Sequence, residues 1–319
     1  MSYLLLAVGF VLLIKGADYF VRGASSIAAG LRVSPLLIGL TVVAFGTSAP
    51  EATVSISAAL EGNAGVAVGN AVGSNIFNIA LILGVTALVS PLLVQSETVK
   101  KEIPFTFLAG AALLVMVGDR FLQQTEETVI TRGDGLLLLL FFSVFLYYVI
   151  ETARKGRAEQ GVPDAGPPPE GPLWKQSLLT IGGLAAVVIG GDIVVRNAVV
   201  IALDLGMSET LVGLTIVAAG TSLPELITSL TAALKKEADI AVGNIVGSNI
   251  FNIFFVLGAA GTIAPLVTSP QIAVDIIFML VITALLLVFA STGLRIGRRE
   301  GAVLALAYLL YMIYIIIRN

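Results

Sequence analysis

The stretch Gly39–Glu51, GLTVVAFGTSAPE, recurs as Gly213–Glu225, GLTIVAAGTSLPE, with 10 of 13 positions identical. A second stretch, Ala67–Asn78 (AVGNAVGSNIFN), recurs as Ala241–Asn252 (AVGNIVGSNIFN), with 11 of 12 positions identical. In both pairs the second copy follows the first by 174 residues. Repetition at one fixed offset indicates that two copies of one structural unit fill the chain.

The composition places these repeats in a membrane. Of the 319 residues, 57% are hydrophobic and 12% are charged, whereas a soluble domain carries about 25% charged residues. A helix needs about 20 mostly apolar residues to cross a hydrocarbon core roughly 30 Å thick. The sequence predicts about ten such helices, near residues 3–29, 35–60, 65–90, 102–118, 134–151, 177–203, 209–234, 239–265, 273–291 and 299–317.

These helices divide equally between the two halves of the chain. Five lie in residues 1–151 and five in residues 176–319, with a polar linker at 152–175. Because five is an odd number, the second copy must enter the membrane from the opposite side. We therefore predict an all-α polytopic membrane protein built from two inverted five-helix repeats. Inverted repeats are typical of transporters, which bind ions or substrates near the membrane midplane.

The distribution of basic residues predicts the orientation, because cytoplasmic loops collect Lys and Arg. One set of alternate loops holds twelve basic residues, and the other set with the C-terminus holds three. The twelve are Arg32, Lys100, Lys101, Arg154, Lys155, Arg157, Lys175, Lys235, Lys236, Arg295, Arg298 and Arg299; the three are Arg120, Arg132 and Arg318. Both termini are expected outside the cell membrane, and the linker 152–175 in the cytoplasm.

The residue types that are missing narrow the chemistry. The chain has no Cys and no His, which excludes disulfides, thiolate metal sites, cysteine nucleophiles and histidine bases. No nucleophile–base pair is visible, so an enzyme is disfavoured. A net charge of −3 gives no basic surface for nucleic acid. The remaining chemistry must rest on oxygen atoms.

Each copy of the first motif carries a glutamate deep inside a predicted span, Glu51 in one and Glu225 in the other. Neither has a Lys or Arg within one helical turn, and ionisable groups inside a bilayer indicate function. Pro50 and Pro224 cannot donate a backbone hydrogen bond, so each helix should kink and free carbonyl oxygens beside the carboxylate. Carboxylates, carbonyls and hydroxyls are the ligands that Ca²⁺ prefers. A bound cation is the simplest interpretation.

Neighbouring polar residues could complete the ligand set. Thr47 and Ser48 lie on the same helix face as Glu51, since they precede it by four and three positions. The second motif supplies one polar stripe in each copy, formed by Asn70, Ser74 and Asn78 and by Asn244, Ser248 and Asn252.

Plainer roles remain open for these residues. The amides and hydroxyls could form ordinary hydrogen bonds between helices, and the prolines and small residues could serve packing alone. Gly69 and Gly73, with Gly243 and Gly247, should let neighbouring helices approach closely. The pairs Asp18/Arg22 and Asp192/Arg196 are spaced for ion pairs within one helix and not for ligand roles.

At GTSAPE with GNAVGSNIFN, and at GTSLPE with GNIVGSNIFN, the sequence resembles the cation/calcium exchanger superfamily, and within it the prokaryotic sodium/calcium exchanger branch. The resemblance covers essentially the whole chain. It implies antiport of Na⁺ against Ca²⁺ by alternating access, with both ions as transported substrates, no cofactor and no obligate protein partner. The residues that it implies as ion ligands are Glu51 and Glu225 for central Ca²⁺; Thr47 and Thr221, largely through their carbonyls; Ser48, Ser74, Ser222 and Ser248 at flanking Na⁺ sites; and Asn78 and Asn252 at the centre.

One departure from the family pattern concerns the charge of the ion-binding cage, by which we mean the set of ligands just named. Some members, including potassium-dependent ones, carry Asp where this chain has Asn252. With only two carboxylates, the cage matches one Ca²⁺ in charge, so we predict no K⁺ requirement. Two alternatives stay open from sequence: an antiporter of protons against Ca²⁺ or another divalent cation on the same scaffold, and a cation channel.

Overall fold

The computed structural model describes residues 1–118, 128–159, 171–206 and 218–318. From the N-terminus to the first gap, the helices are α1 (Ser2–Leu31), α2 (Pro35–Ile38), π1 (Gly39–Val43), α3 (Ala44–Thr47), α4 (Ala49–Leu60), α5 (Ala64–Ile76), π2 (Phe77–Ile82), α6 (Leu83–Val89), π3 (Thr98–Glu102) and α7 (Ile103–Met116). After it come α8 (Arg132–Glu159), α9 (Leu173–Asp204), α10 (Ala218–Gly220), α11 (Leu223–Leu234), α12 (Ala238–Ile250), π4 (Phe251–Leu257), α13 (Gly258–Ile263), α14 (Ile272–Ser291) and α15 (Arg298–Arg318).

Most of the predicted spans are present as long apolar helices. Within the described residues, seven helices are long and apolar enough to cross a membrane, and a bent pair makes an eighth. The predicted span 102–118 is shorter, with its α-helical part limited to the 14 residues of α7. The predicted span 209–234 begins outside the described residues, and its main described part is α11. These findings confirm a predominantly helical membrane fold.

The predicted linker is partly helical at both ends. The helix α8 continues to Glu159 and α9 begins at Leu173, so both helices extend into the interval 152–175. Residues 160–170 lie outside the described part of the chain.

The described residues form two compact units, and each unit takes segments from both sequence repeats. The first unit consists of Met1–Pro50 and Val149–Asn244, and the second of Glu51–Tyr148 and Ile245–Asn319.

In the first unit, the long helices α1 and α9 pack antiparallel through glycine. A Cβ added at Gly183 would lie 2.8 Å from the carbonyl oxygen of Gly16, and one at Gly190 would lie 2.9 Å from that of Gly9. Since 183 and 190 are the positions 174 residues after 9 and 16, the two contacts are repeat-related copies of each other. Glycine is required here because any side chain would strike the backbone of the facing helix.

The start of the second helical span is also defined locally in this unit. α1 ends where Arg32 adopts a left-handed conformation with φ 53°. Pro35 occupies the first turn of α2, and the Ser34 hydroxyl accepts the N–H of Leu37 at 3.4 Å. These are ordinary stop and start features of helices.

The second unit contains two short antiparallel strand pairs that the sequence analysis did not predict. β1 (Leu92–Leu93) pairs with β4 (Arg295–Ile296), and β2 (Thr128–Ile130) pairs with β3 (Leu266–Thr268). Each pair joins two interhelical connections that are far apart in sequence.

Two of the apolar spans in this unit contain π-helical turns, where a continuous α-helix was expected. π2 follows α5 directly after Ile76, and π4 follows α12 directly after Ile250. The two start at repeat-related positions, since Phe251 follows Phe77 by 174 residues. π turns within α-helices occur frequently at functional sites.

Candidate functional site

The helix that carries the first motif breaks at Ser48. α3 ends at Thr47, Ser48 has φ −81° and ψ 9°, and α4 begins at Ala49 with its axis bent by 49°. In the second copy, Ser222 has φ −91° and ψ 8° immediately before α11. The prolines two residues later cannot donate to the preceding turn. The predicted kink is therefore confirmed in the first copy, and in the second copy the described backbone is interrupted at the equivalent residue.

The glutamate of the second copy lies in the first unit and is fully buried. Its Oε1 accepts a hydrogen bond of 2.8 Å from the Ser48 hydroxyl. Its Oε2 is buried and has no hydrogen-bond partner among the described residues, and the same holds for the Thr221 hydroxyl. No described Lys or Arg forms an ion pair with Glu225. A buried carboxylate oxygen without a donor is costly unless a cation or proton meets it.

Asn244 ties the second motif to the first within this unit. Its Oδ1 accepts from the Thr47 hydroxyl at 2.9 Å. Its Nδ2 donates to Ser229 Oγ at 2.8 Å and to the carbonyl of Glu225 at 3.5 Å. The side chain therefore orients the backbone beside the carboxylate, and all of its polar atoms are engaged.

The glutamate of the first copy lies in the second unit and is also fully buried. Asn70 Nδ2 donates to Ser55 Oγ at 2.9 Å and to the carbonyl of Glu51 at 3.2 Å. This arrangement repeats the one around Asn244, because positions 70, 55 and 51 correspond to 244, 229 and 225. Asn70 and Asn244 thus make the interhelical hydrogen bonds that the sequence left open for them.

Four asparagines form a fully buried hydrogen-bonded group in the second unit, which we call the asparagine quartet: Asn75, Asn78, Asn249 and Asn252. Asn78 Nδ2 donates to Asn249 Oδ1 at 3.0 Å, and Asn252 Nδ2 donates to Asn75 Oδ1 at 3.2 Å. Asn75 Nδ2 donates to the carbonyl of Asn249 at 3.0 Å. The bonds cross between the repeats, and they leave Asn78 Oδ1 and Asn252 Oδ1 buried without a partner.

Asn75 and Asn249 are not among the ligands predicted from the sequence. Asn75 does not lie on the polar stripe that runs in four-residue steps from Asn70 to Asn78. The available signal was the repeat itself, since both asparagines lie within GSNIFN, which is identical in the two copies.

The predicted serines of the site are buried, as a ligand role requires. Ser48, Ser222 and Ser248 are fully buried, and Ser74 is 4% exposed. Ser48 and Glu225 are brought together directly, whereas Ser74 and Ser248 are placed in the same helical spans as the asparagine quartet.

The predicted ion pairs within helices are also confirmed. Arg196 Nε lies 2.8 Å from Asp192 Oδ1, and Arg22 lies 3.5 Å from Asp18. Asp18 has a second basic neighbour in Lys235, at 2.6 Å. These carboxylates are neutralised by side chains.

Each unit contains buried acceptor oxygens that a cation can satisfy. In the first unit Glu225 Oε2 has no partner among the described residues, and in the second unit Asn78 Oδ1 and Asn252 Oδ1 are without one. Within the part of the chain that the structure describes, no three Asp, Glu, His or Cys residues cluster. Carboxylate and amide oxygens suit hard cations such as Na⁺ and Ca²⁺ and not transition metals.

Comparison with known proteins gives concordant matches. The family model for sodium/calcium exchanger protein matches residues 1–151 and 175–317. The chain is 44% identical to the putative antiporter CaxA of Alkalimonas amylolytica, over 95% of each chain. It is 34% identical to the sodium/calcium exchanger MaX1 of Methanosarcina acetivorans, over 98% of this chain and 97% of that one.

The fold is also similar to a solved exchanger. A structure of the sodium-calcium exchanger NCX_Mj, soaked with 10 mM Na⁺ and zero Ca²⁺, superposes with a TM-score of 0.83 and is 33% identical, with 97% of each chain covered.

Proposed function

The chain belongs to the sodium/calcium exchanger family, and from that premise we propose that it is a secondary active antiporter that exchanges Na⁺ for Ca²⁺ by alternating access, without K⁺. The family consists of ion transporters, so the protein is a transporter and not an enzyme. Na⁺ and Ca²⁺ are its transported substrates, and no cofactor is needed.

The observation that carries this function is the buried carboxylate of Glu225. Ser48 holds one of its oxygens, and the other has no donor although the residue has no solvent exposure. A permanently bare charge at this depth is costly. A bound cation offsets the free energy of burying this charge. Without a bound cation, the change between inward-open and outward-open conformations would have to carry the bare carboxylate, which is unfavourable. This difference favours exchange over leak.

We propose ten residues as ion ligands. Glu51 and Glu225 are the central Ca²⁺ ligands, as the family resemblance implies, and both side chains are fully buried. The remaining ligands are Thr47, Thr221, Ser48, Ser222, Ser74, Ser248, Asn78 and Asn252. Because positions 78 and 252 are both amides, the cage carries two formal negative charges. One Ca²⁺ balances them, which is why K⁺ is not required.

We further propose that ten helices form two inverted five-helix repeats, 1–151 and 176–319. Three observations support this arrangement. The repeat-related helices α1 and α9 are antiparallel. The quartet bonds cross reciprocally between repeats. In a ten-span topology, the connections that carry β1 and β4 lie on one side of the membrane, and those that carry β2 and β3 lie on the other, as their pairing requires.

The orientation follows from charge. The excess of Lys and Arg in one set of connections supports a cytoplasmic location for that set. We infer that the linker 152–175 is cytoplasmic and that both termini lie outside.

The function is tested by Ca²⁺ uptake into vesicles that contain the purified protein. Na⁺-loaded vesicles diluted into Na⁺-free medium should accumulate ⁴⁵Ca²⁺ at fixed pH, and equally with or without K⁺. Uptake that follows a pH gradient and ignores Na⁺ would indicate proton antiport instead. Uptake that needs no counter-ion would indicate a channel, and uptake that requires K⁺ would contradict the charge argument.

A further inference from the structure

The asparagine quartet contains two residues, Asn75 and Asn249, that the proposed ligand set does not use. We propose that they are positioning residues, each of which orients the ligand amide of the other repeat: Asn75 orients Asn252, and Asn249 orients Asn78. This inference rests on the proposed function, in which Asn78 and Asn252 bind the ion through their side-chain oxygens.

The two ends of each asparagine amide have different hydrogen-bonding roles. An asparagine side chain has a donor nitrogen and an acceptor oxygen, so the partner of one end determines where the other end points. Asn252 Nδ2 donates to Asn75 Oδ1 at 3.2 Å, and Asn252 Oδ1 is left buried without a partner. Asn78 shows the same division, with Nδ2 bound to Asn249 Oδ1 at 3.0 Å and its own Oδ1 free of donors.

The positioning residues must themselves be fixed for this to work. Asn75 is fixed because its Nδ2 donates to the backbone carbonyl of Asn249 at 3.0 Å. If Asn75 turned over, that carbonyl would lose its donor and Asn252 Nδ2 would face another nitrogen. The amide at 252 is therefore held with its oxygen presented.

The two halves of the quartet are not equally constrained. Asn249 Nδ2 is buried and has no partner among the described residues, so Asn249 contributes through its Oδ1 alone. Removal of the Asn249 side chain should break one side-chain bond, and removal of the Asn75 side chain should break two.

The pairing of the four residues distinguishes a positioning role from a role in packing alone. Asn75 and Asn78 are neighbours on one span, but the hydrogen bonds couple Asn75 to Asn252 and Asn249 to Asn78. Residues that act through one another give non-additive effects, whereas independent residues give additive ones. We expect the coupling to cross between the repeats.

The experiment measures the Ca²⁺ dissociation constant by calorimetry on purified full-length protein, with ⁴⁵Ca²⁺ exchange in vesicles as a second readout. Asn249→Ala should weaken Ca²⁺ binding by roughly 3- to 10-fold, the value of one lost orienting hydrogen bond. Asn75→Ala should weaken it by at least as much, because its side chain forms two hydrogen bonds. The exchange rate at saturating Ca²⁺ should change less than KM. The double variant Asn75→Ala/Asn252→Ala should bind as weakly as Asn252→Ala alone, and Asn249→Ala/Asn78→Ala as weakly as Asn78→Ala alone.

The uncrossed combinations are the matched controls. Asn75→Ala/Asn78→Ala and Asn249→Ala/Asn252→Ala should show the product of their single effects. Additive effects in the crossed pairs, or coupling confined to residues of one repeat, would overturn the positioning role. If Asn75→Ala does not fold, the Asn249 and Asn78 set carries the same test with one fewer bond lost. Crossed coupling in binding without Na⁺-driven uptake would contradict the proposed exchange and leave the positioning role standing.

Discussion

Two pairs of repeat-related helical spans in this protein form different kinds of contact, one through polar side chains and the other through glycine. In the spans that contain the second motif, Ala64–Val89 and Ala238–Ile263, 72% and 94% of an apolar 18-residue window is buried, while the corresponding share is 33% in each of the long helices α1 and α9. The more buried spans carry the asparagine quartet, and α1 and α9 touch through glycine and backbone. The full burial of these four amide side chains contrasts with soluble proteins, in which Asn is mostly exposed. Ion chemistry and helix packing are therefore assigned to different residues, which can be changed separately.

The largest effect is expected at the buried carboxylates. Glu225→Gln and Glu51→Gln remove half of the negative charge that balances Ca²⁺, and Na⁺-driven ⁴⁵Ca²⁺ uptake should fall by about 100-fold or more, since a charge–cation contact in a desolvated site is worth several kcal/mol. The matched control is Glu61→Gln, which changes an exposed acid and should transport at the wild-type rate. Equal loss in the control, or full activity in both buried variants, would contradict the assignment.

The next effect concerns packing and should leave the ion chemistry intact. Gly183→Leu places a side chain where a Cβ would already lie 2.5 Å from the backbone nitrogen of Phe20. Overpacking of this kind costs typically 1–3 kcal/mol, so the thermal unfolding midpoint in detergent should fall by several degrees. Gly182→Leu is the control, because Gly182 is exposed and a Cβ there meets no described atom within 4 Å. A similar fall in both would show that glycine contact is not the cause.

A smaller effect is expected when the uncharged hydrogen-bond partner of Glu225 is substituted. Ser48→Ala removes the 2.8 Å hydrogen bond to Glu225 but keeps the charge. Hydrogen bonds to charged groups contribute about 1.5–3 kcal/mol, so KM for Ca²⁺ should rise by roughly 10-fold or more. Ser57→Ala, an exposed serine on α4, should leave KM unchanged. An equal rise in KM for Ser57→Ala would show that the effect does not depend on the hydrogen bond between Ser48 and Glu225.

The smallest effect is expected on the surface of α9. Asp192→Asn breaks an ion pair with Arg196 in which both side chains are more than half exposed, and such pairs contribute little. The unfolding midpoint and the transport rate should both match wild type. Asp18→Asn should lower the midpoint more than Asp192→Asn, because Asp18 also contacts Lys235 at 2.6 Å.

The sequence predicted those features that depend on local chemistry. The proline kink at Ser48, the helix interruption at Ser222, the buried glutamates and the ion pairs within helices all follow from residue type and short spacing. The long apolar spans follow from composition. Each can be derived without knowledge of what a segment packs against.

Other features depend on partners that are distant in sequence. Asn75 and Asn249 form their hydrogen bonds with residues of the other repeat, and neither is identified by helical spacing from Asn70. The strand β1 has two residues and no signal of its own apart from its partner β4. Gly243 packs against Leu36 and Gly39 as expected of close helix contact. The counterparts of those two residues, at 210 and 213, lie outside the described residues, so the prediction for Gly69 stays a prediction.

The strand pairs have a consequence for biosynthesis. Leu93 leaves the ribosome long before Arg295, its partner in the β1–β4 pair. At about 5–20 residues per second, the first strand waits on the order of 10–40 seconds for the second. During that interval the early helices must reside in the bilayer while the backbone groups of β1 are unpaired or bound to water. β4 pairs with them only after the connection before α15 has been synthesised. Truncated nascent chains that end before residue 295 should therefore remain open to proteases at residues 92–93.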